Sequence, residues 1–211
     1  MNVIASQKER YVIWVSITIS ISLYFIFNIL AKNSAPHSSV VMNWENNIPF
    51  IAIFVVPYQS LYLNLPILFI LLRKRLELWV LLLRMLFILT VSYMFFLFLP
   101  LECTFSHPKI QANWFIIWLF SLIDANDLPY NQLPSLHIST IVVYWYSLRK
   151  YLKNRHLKQI LFIWFLLIGL STLFIYQHHF WDIATGLLLG LFAVWIFSDK
   201  NVRILKKEKV L

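Results

Sequence analysis

The chain has 211 residues, 60% of them hydrophobic and 13% charged, with a net charge of +9 and a mean hydropathy of +0.72. No soluble domain of this size needs so much apolar surface, whereas a bilayer does. Three Gly against eight Pro exclude a low-complexity chain, and a lone Cys103 excludes an internal disulfide framework and a Cys-based zinc site.

Residues 1–10 are polar and carry Lys8 and Arg10. Tyr11 to Ala31 is the first apolar run, about as long as a bilayer requires. No small-residue cleavage site follows it, so it reads as a retained transmembrane helix rather than a signal peptide. After a polar stretch over 32–47 comes a second run, Ile48 to Leu72, interrupted by Pro57 and Pro66 and expected to kink. Arg73-Lys74-Arg75 closes it. The third run is Leu78 to Leu99; Arg84 lies near its start, where it is expected to snorkel to the interface.

Pro100 to Pro134 is the longest connection, and its Trp- and Phe-rich stretch Trp114 to Ile123 reads as interfacial. The fourth run goes from Ser135 to Leu152, the fifth from Gln159 to Tyr176 and the sixth from Trp181 to Phe197, before a basic tail. The N-terminus, the 73–75 turn, the 149–158 turn and the tail hold 15 of the 18 Lys and Arg. The intervening connections hold only Lys32 and Lys109. This positive-inside bias predicts an all-α protein of six transmembrane helices with both termini cytoplasmic, the whole of 1–211 forming one integral-membrane domain.

Two polar clusters then fall on the outer side. His178 and Asp182 are four residues apart, which on a helix puts them on one face about a turn apart. A carboxylate there can fix the imidazole tautomer and support its positive charge. An ionisable cluster in so apolar a chain is a functional candidate. Pro134 and Ser135 make a helix start, whose free N–H groups and dipole suit a phosphate, with His137 beside it. A hairpin of two spans brings His137 and His178 to the same membrane face. The plain alternatives are a structural polar pair for His178 and Asp182 and a simple helix cap for Pro134-Ser135. His179 reads as an interfacial or supporting residue, and Asp124 and Asp127 as solvated or capping residues rather than metal ligands. Gly186 and Gly190 read as a close-packing pair, with dimerisation the other use.

Pro134-Ser135-Leu136-His137 resembles the Pro-Ser-x-His motif of the type-2 phosphatidic acid phosphatase superfamily, related to vanadium haloperoxidases. Ser171 and His178-x3-Asp182 resemble its Ser-Arg-x5-His-x3-Asp motif, with the right internal spacing. The resemblance implies six spans and an outward-facing site, in a bacterial inner membrane one facing the periplasm or exterior. Two departures stand out. Thr172 occupies the place of the family's Arg, and the Lys-x6-Arg-Pro motif has only Ser106-His107-Pro108 as its counterpart, with Pro100 where the Lys belongs. The cationic clamp on phosphate is therefore largely missing, and the His-His pair before Asp looks closer to the lipid phosphotransferase branch, such as fungal inositol phosphorylceramide synthase.

The resemblance implies a nucleophilic His178 held by Asp182, forming a phosphohistidine, and His137 as general acid and then base. Ser135 and Ser171 are the expected holders of the phosphate oxygens, with His107 (when protonated) and Lys109 as partial substitutes for the missing cations. No metal and no cofactor is expected, the partners are a phosphorylated lipid and the bilayer, and nucleic acid is not among them. Release of phosphate from a phosphorylated lipid is the leading reading. Transfer of a phosphoryl or phospho-headgroup between lipids is the first alternative, and non-catalytic lipid binding or transport on the same scaffold is the second. Neither the identity of the lipid nor the oligomeric state is legible in the residues.

Overall fold

A computed structural model describes residues 3–33, 38–106 and 108–202. Seven α-helices lie within the described residues, α1 (Gln7–Asn33), α2 (Val55–Leu71), α3 (Arg75–Phe98), α4 (Trp114–Asn126), α5 (Leu136–Leu148), α6 (Arg155–Phe174) and α7 (Phe180–Ile196), and residues 199–202 are also helical. Two short 3₁₀ turns, Asn43–Asn47 and Ala52–Phe54, precede α2. No strand forms among the described residues, only isolated bridges such as Ile4 with Lys74. The architecture is all-α, as composition and periodicity predict.

Among the described residues four helices are long and apolar enough to cross a membrane: α1, α2 with the turn before it (Ala52–Leu71), α3 and α6. The expected fourth and sixth runs form shorter helices. α5 has 13 residues and α7 has 17, about 20 and 26 Å at 1.5 Å per residue, against a hydrocarbon thickness of about 30 Å. The reason is local. The Ser135 hydroxyl caps α5 by accepting from the Ile138 N–H, and the chain turns at Arg149 before the apolar run ends. α7 matches the length of its apolar run, which is itself short for a span. The stretch expected to be interfacial forms α4, whose Trp114 is 78% exposed while Ile116, Leu119, Phe120 and Ile123 pack on Val55 and Tyr58 of α2.

Basic residues gather at one end of the bundle. The N–H of Ala5 bonds the Arg73 carbonyl, and Arg75 pairs with Glu9. The Arg10 guanidinium donates to the Phe69 and Leu72 carbonyls, both at 2.6 Å, filling acceptors that the end of α2 leaves open. Lys150 lies 3.2 Å from Glu77 and 3.9 Å from Asp199. Arg84 is buried within the bundle, and its Nε donates to the Phe197 carbonyl at 3.1 Å, because the end of α7 offers unpaired carbonyls and the negative end of a helix dipole. Arg84→Leu is expected to cost about 1–3 kcal/mol by stranding that acceptor. The measurement is the thermal unfolding midpoint in detergent, and an unmoved midpoint would show that α7 does not depend on the guanidinium.

The tightest seam joins α5 to α7. A Cβ on Gly186 would lie 2.6 Å from the Ser135 carbonyl oxygen, and one on Gly190 would lie 2.8 Å from Val142 Cβ. The two glycines therefore serve close packing inside the bundle, bringing the start of α5 against the start of α7 at the end remote from the basic cluster.

Candidate active site

Each histidine of the candidate pair is delivered by a helix end. His137 sits in the first turn of α5, after the cap at Ser135. His178 lies in the turn between α6 and α7. There the Thr172 carbonyl accepts from the N–H groups of both Gln177 and His178, and Leu173 accepts from Tyr176. That pattern closes α6 with Tyr176 in the left-handed region, φ 59°. A bulky residue there is strained, and its ring is held by a hydroxyl bond to the Ile48 carbonyl (2.7 Å) and stacking on Phe105.

The expected shared helical face of His178 and Asp182 is not what joins them. His178 precedes the N-cap of α7, which is His179, and Asp182 is the third helical residue. Asp182 is fully buried, and its Oδ2 accepts the His179 N–H at 2.8 Å. With the Gln132 amide oriented to donate, its nitrogen reaches the same oxygen at 2.8 Å and the Gln177 carbonyl at 3.3 Å. These donors hold the carboxylate so that Oδ2 stands 3.5 Å from His178 Nδ1, slightly beyond a hydrogen bond. Nδ1 has no other partner among the described residues. That leaves Nε2, the far ring nitrogen, for the cavity that His178 lines.

His137 comes within 5.9 Å of His178, ring centroid to ring centroid. The Tyr58 ring stacks on it at 4.2 Å, and His137 Nε2 has no hydrogen-bond partner among the described residues. Both histidines line a cavity of about 390 Å³ with Tyr24, Tyr58, Tyr62, Tyr144, Asp127, Asn131 and an apolar wall that includes Leu65, Met85 and Leu89. Phe25 of α1 and Tyr62 of α2 both line it and are exposed, which marks its mouth.

Of the other expected phosphate ligands, Ser135, Ser171 and Lys109 do not line this cavity. Ser135 and Ser171 are fully buried; the first caps α5 and the second donates to the Ile168 carbonyl at 2.6 Å. Lys109 is exposed on the connection before α4. His107 lies outside the described residues. Thr172, where the resembled family carries Arg, is buried with its hydroxyl on the Gly169 carbonyl. No Lys or Arg lines the cavity among the described residues. Nor do they hold any group of three or more His, Cys, Asp or Glu that could bind a metal ion.

The sequence points to a supporting or interfacial His179 without its partners, and it shows neither the role of Gln132 nor the burial of Asp127. His179 is buried, with Nδ1 2.7 Å from Glu45 Oε2 and Nε2 3.3 Å from the Thr104 N–H, so it ties the connections after α1 and α3 to the start of α7. Gln132 supports Asp182. Asp127 does follow α4 as a capping residue, yet it is not solvated: it accepts from Tyr24, from Tyr58 (3.3 Å) and from Asn131 (2.9 Å), and burial pushes its carboxyl above the usual range. Asn131 and Gln132 adjoin Pro134-Ser135 in the chain, which is the one sequence signal that pointed to them.

A family model described as the PAP2 superfamily matches residues 98–203, from the end of α3 through α7. No curated protein and no solved structure matches the chain. Members of that family are generally phosphatases or phosphotransferases. The matched segment spans half the chain and contains both histidines, Asp182 and the α5–α7 seam that brings them together, and the chain belongs to the PAP2 superfamily.

Proposed function

We propose that this protein is a membrane enzyme that cleaves the phosphoester bond of a phosphorylated lipid, with His178 as nucleophile and His137 as general acid and base. The observation that carries this reading is the meeting of His137 and His178 on the wall of one cavity, 5.9 Å apart, with His178 Nδ1 turned to Asp182. A phosphoryl group between two such rings touches both. His178 Nε2 attacks phosphorus, the P–O bond to the lipid alcohol breaks, and the leaving oxygen takes the His137 proton. His137 then takes a proton from water as the water oxygen bonds to phosphorus, the P–N bond breaks, and phosphate leaves. Asp182, anchored by His179 and Gln132, keeps the proton of His178 on Nδ1 and supports the developing charge. The basic end of the bundle is read as cytoplasmic, which puts the cavity on the outer face, and the apolar wall below the histidines suits acyl chains.

A specific observation favours a second reading, transfer of the phosphoryl or phospho-headgroup to another lipid's hydroxyl in place of water. The described residues line the cavity without a Lys or Arg, a poor clamp for a phosphomonoester dianion. The deciding experiment incubates detergent-purified protein with a panel of phosphorylated lipids, with and without EDTA, and identifies the products. Phosphorus should leave the substrate lipid at the same rate in EDTA. Free phosphate identifies the hydrolase, a labelled headgroup on an acceptor lipid identifies the transferase, and complete loss of activity in EDTA sinks the phosphohistidine route.

A further inference from the structure

The lining of the cavity is unusual for an anion site. Among the described residues its one carboxylate is Asp127, which accepts from neutral donors, the hydroxyls of Tyr24 and Tyr58 and the amide of Asn131. It forms no ion pair among the described residues. Tyr24, Tyr58, Tyr62 and Tyr144 line the same space. A half-buried carboxylate flanked by aromatic rings attracts a cation, through Coulomb attraction in a low dielectric and through the ring quadrupoles. The same carboxylate repels a phosphate that brings two charges, and no guanidinium or ammonium of this lining offsets that repulsion.

We infer that the cavity contains a subsite for an ammonium group, formed by Asp127 and the rings of Tyr24, Tyr58 and Tyr62, so that the preferred substrate is an ammonium-bearing phosphodiester lipid. The inference rests on the phosphoryl-transfer reading and names its substrate class. Tyr58 supplies the geometry, since its hydroxyl donates to Asp127 Oδ2 while its ring stacks on His137. A headgroup with its ammonium at Asp127 therefore has its phosphate beside His137 and His178. The phosphodiester carries one negative charge, which the ammonium balances within the headgroup. The chemistry balances as before. His178 attacks phosphorus, the bond to the diacylglycerol oxygen breaks, that oxygen takes the His137 proton, and the phospho-headgroup stays on His178 until water or an acceptor hydroxyl displaces it. A purely structural Asp127, tying α4 to α1 and α2, is the rival account.

The test measures binding and turnover separately. Full-length His178→Ala protein in maltoside micelles is dialysed against radiolabelled short-chain phosphatidylcholine, phosphatidylethanolamine, phosphatidylglycerol and phosphatidate. Ammonium lipids should bind about tenfold tighter than the anionic pair, as expected for one charge pair of about 1.4 kcal/mol. Adding Asp127→Asn, which keeps the size and an acceptor oxygen but removes the charge, should reduce the preference to about twofold or less, and in the active enzyme the same change should raise phosphatidate turnover. Tyr62→Leu at the exposed mouth is the variant least able to disturb folding, and it should lower ammonium binding about threefold. Equal or weaker binding of ammonium lipids overturns the subsite, as does a preference that survives both changes. The two proposals fail differently. A preference in His178→Ala without turnover by the parent protein removes the catalytic reading alone, and turnover without preference removes the subsite alone.

Discussion

His178→Ala should abolish turnover, with a fall of at least about 10⁴-fold, because it removes the atom that becomes bonded to phosphorus. His137→Ala should lose only about 10²–10⁴-fold, the usual contribution of a positioned acid or base. The two variants differ in kind as well as degree. A lipid alcohol leaves only if it receives a proton, whereas an activated aryl phosphate does not need one. The aryl ester should therefore restore the first step in His137→Ala but not the second, where His137 must deprotonate water. An acid-labile phosphoprotein should accumulate in that variant and be absent from the His137→Ala/His178→Ala double variant. Rapid acid-free quenching and phosphohistidine detection provide the measurement. Full activity in His178→Ala, or phosphoprotein that persists in the double variant, would show that the nucleophile is elsewhere. His179 is the obvious alternative in the sequence, but both of its ring nitrogens are occupied, Nδ1 by Glu45 and Nε2 by Thr104.

The histidine pair was legible because its information is local. Pro134-Ser135 starts a helix wherever it sits, and the alternation of charge along the connections assigned both histidines to one end of the bundle. What the sequence could not reveal is which donors hold each carboxylate, since those come from across the fold. Glu45 is 134 positions from His179, and nothing in the polar stretch 32–47 singles it out. Asp127 looks like any loop carboxylate until Tyr24, 103 positions away, closes over it. The i,i+4 spacing of His178 and Asp182 was informative for the wrong reason. It implied a shared helical face, whereas the pair spans a helix start where Asp182 accepts the N-cap N–H and the imidazole precedes the helix. The span lengths misled in a related way. Hydropathy extends the fourth run through Arg149 and Lys150 to Leu152, but the backbone of α5 ends at Leu148.

Gly186→Ala should damage both the fold and the site, and comparison with the other two glycines shows why. The added methyl would meet the Ser135 carbonyl oxygen at 2.6 Å and Ser135 Cβ at 3.2 Å. A backbone oxygen at a capped helix start cannot rotate away, so α7 must shift from α5, at a cost of about 1–3 kcal/mol for overpacking. Asp182 lies one turn before Gly186, and its carbonyl accepts the Ser135 N–H at 3.0 Å across the same seam. The shift therefore moves the carboxylate that orients His178 relative to His137, and a displacement of about 1 Å at reacting groups costs about 10²-fold in rate. Gly190→Ala meets Val142 Cβ at 2.8 Å and the Ser139 carbonyl oxygen at 2.9 Å, one turn further from the histidines. It should lose similar stability but less activity per folded molecule. Gly169→Ala meets only Ile138 Cδ1, at 3.6 Å, an ordinary contact. It should be neutral, or stabilising by up to about 1 kcal/mol from helix propensity. Unfolding midpoints and initial rates on detergent-purified protein rank the three. If Gly169→Ala proves as damaging as Gly186→Ala, the α5–α7 seam is not what sets the site, whereas loss of activity in Gly186→Ala beyond its loss of folded protein ties the close approach of the helices directly to the chemistry of His178.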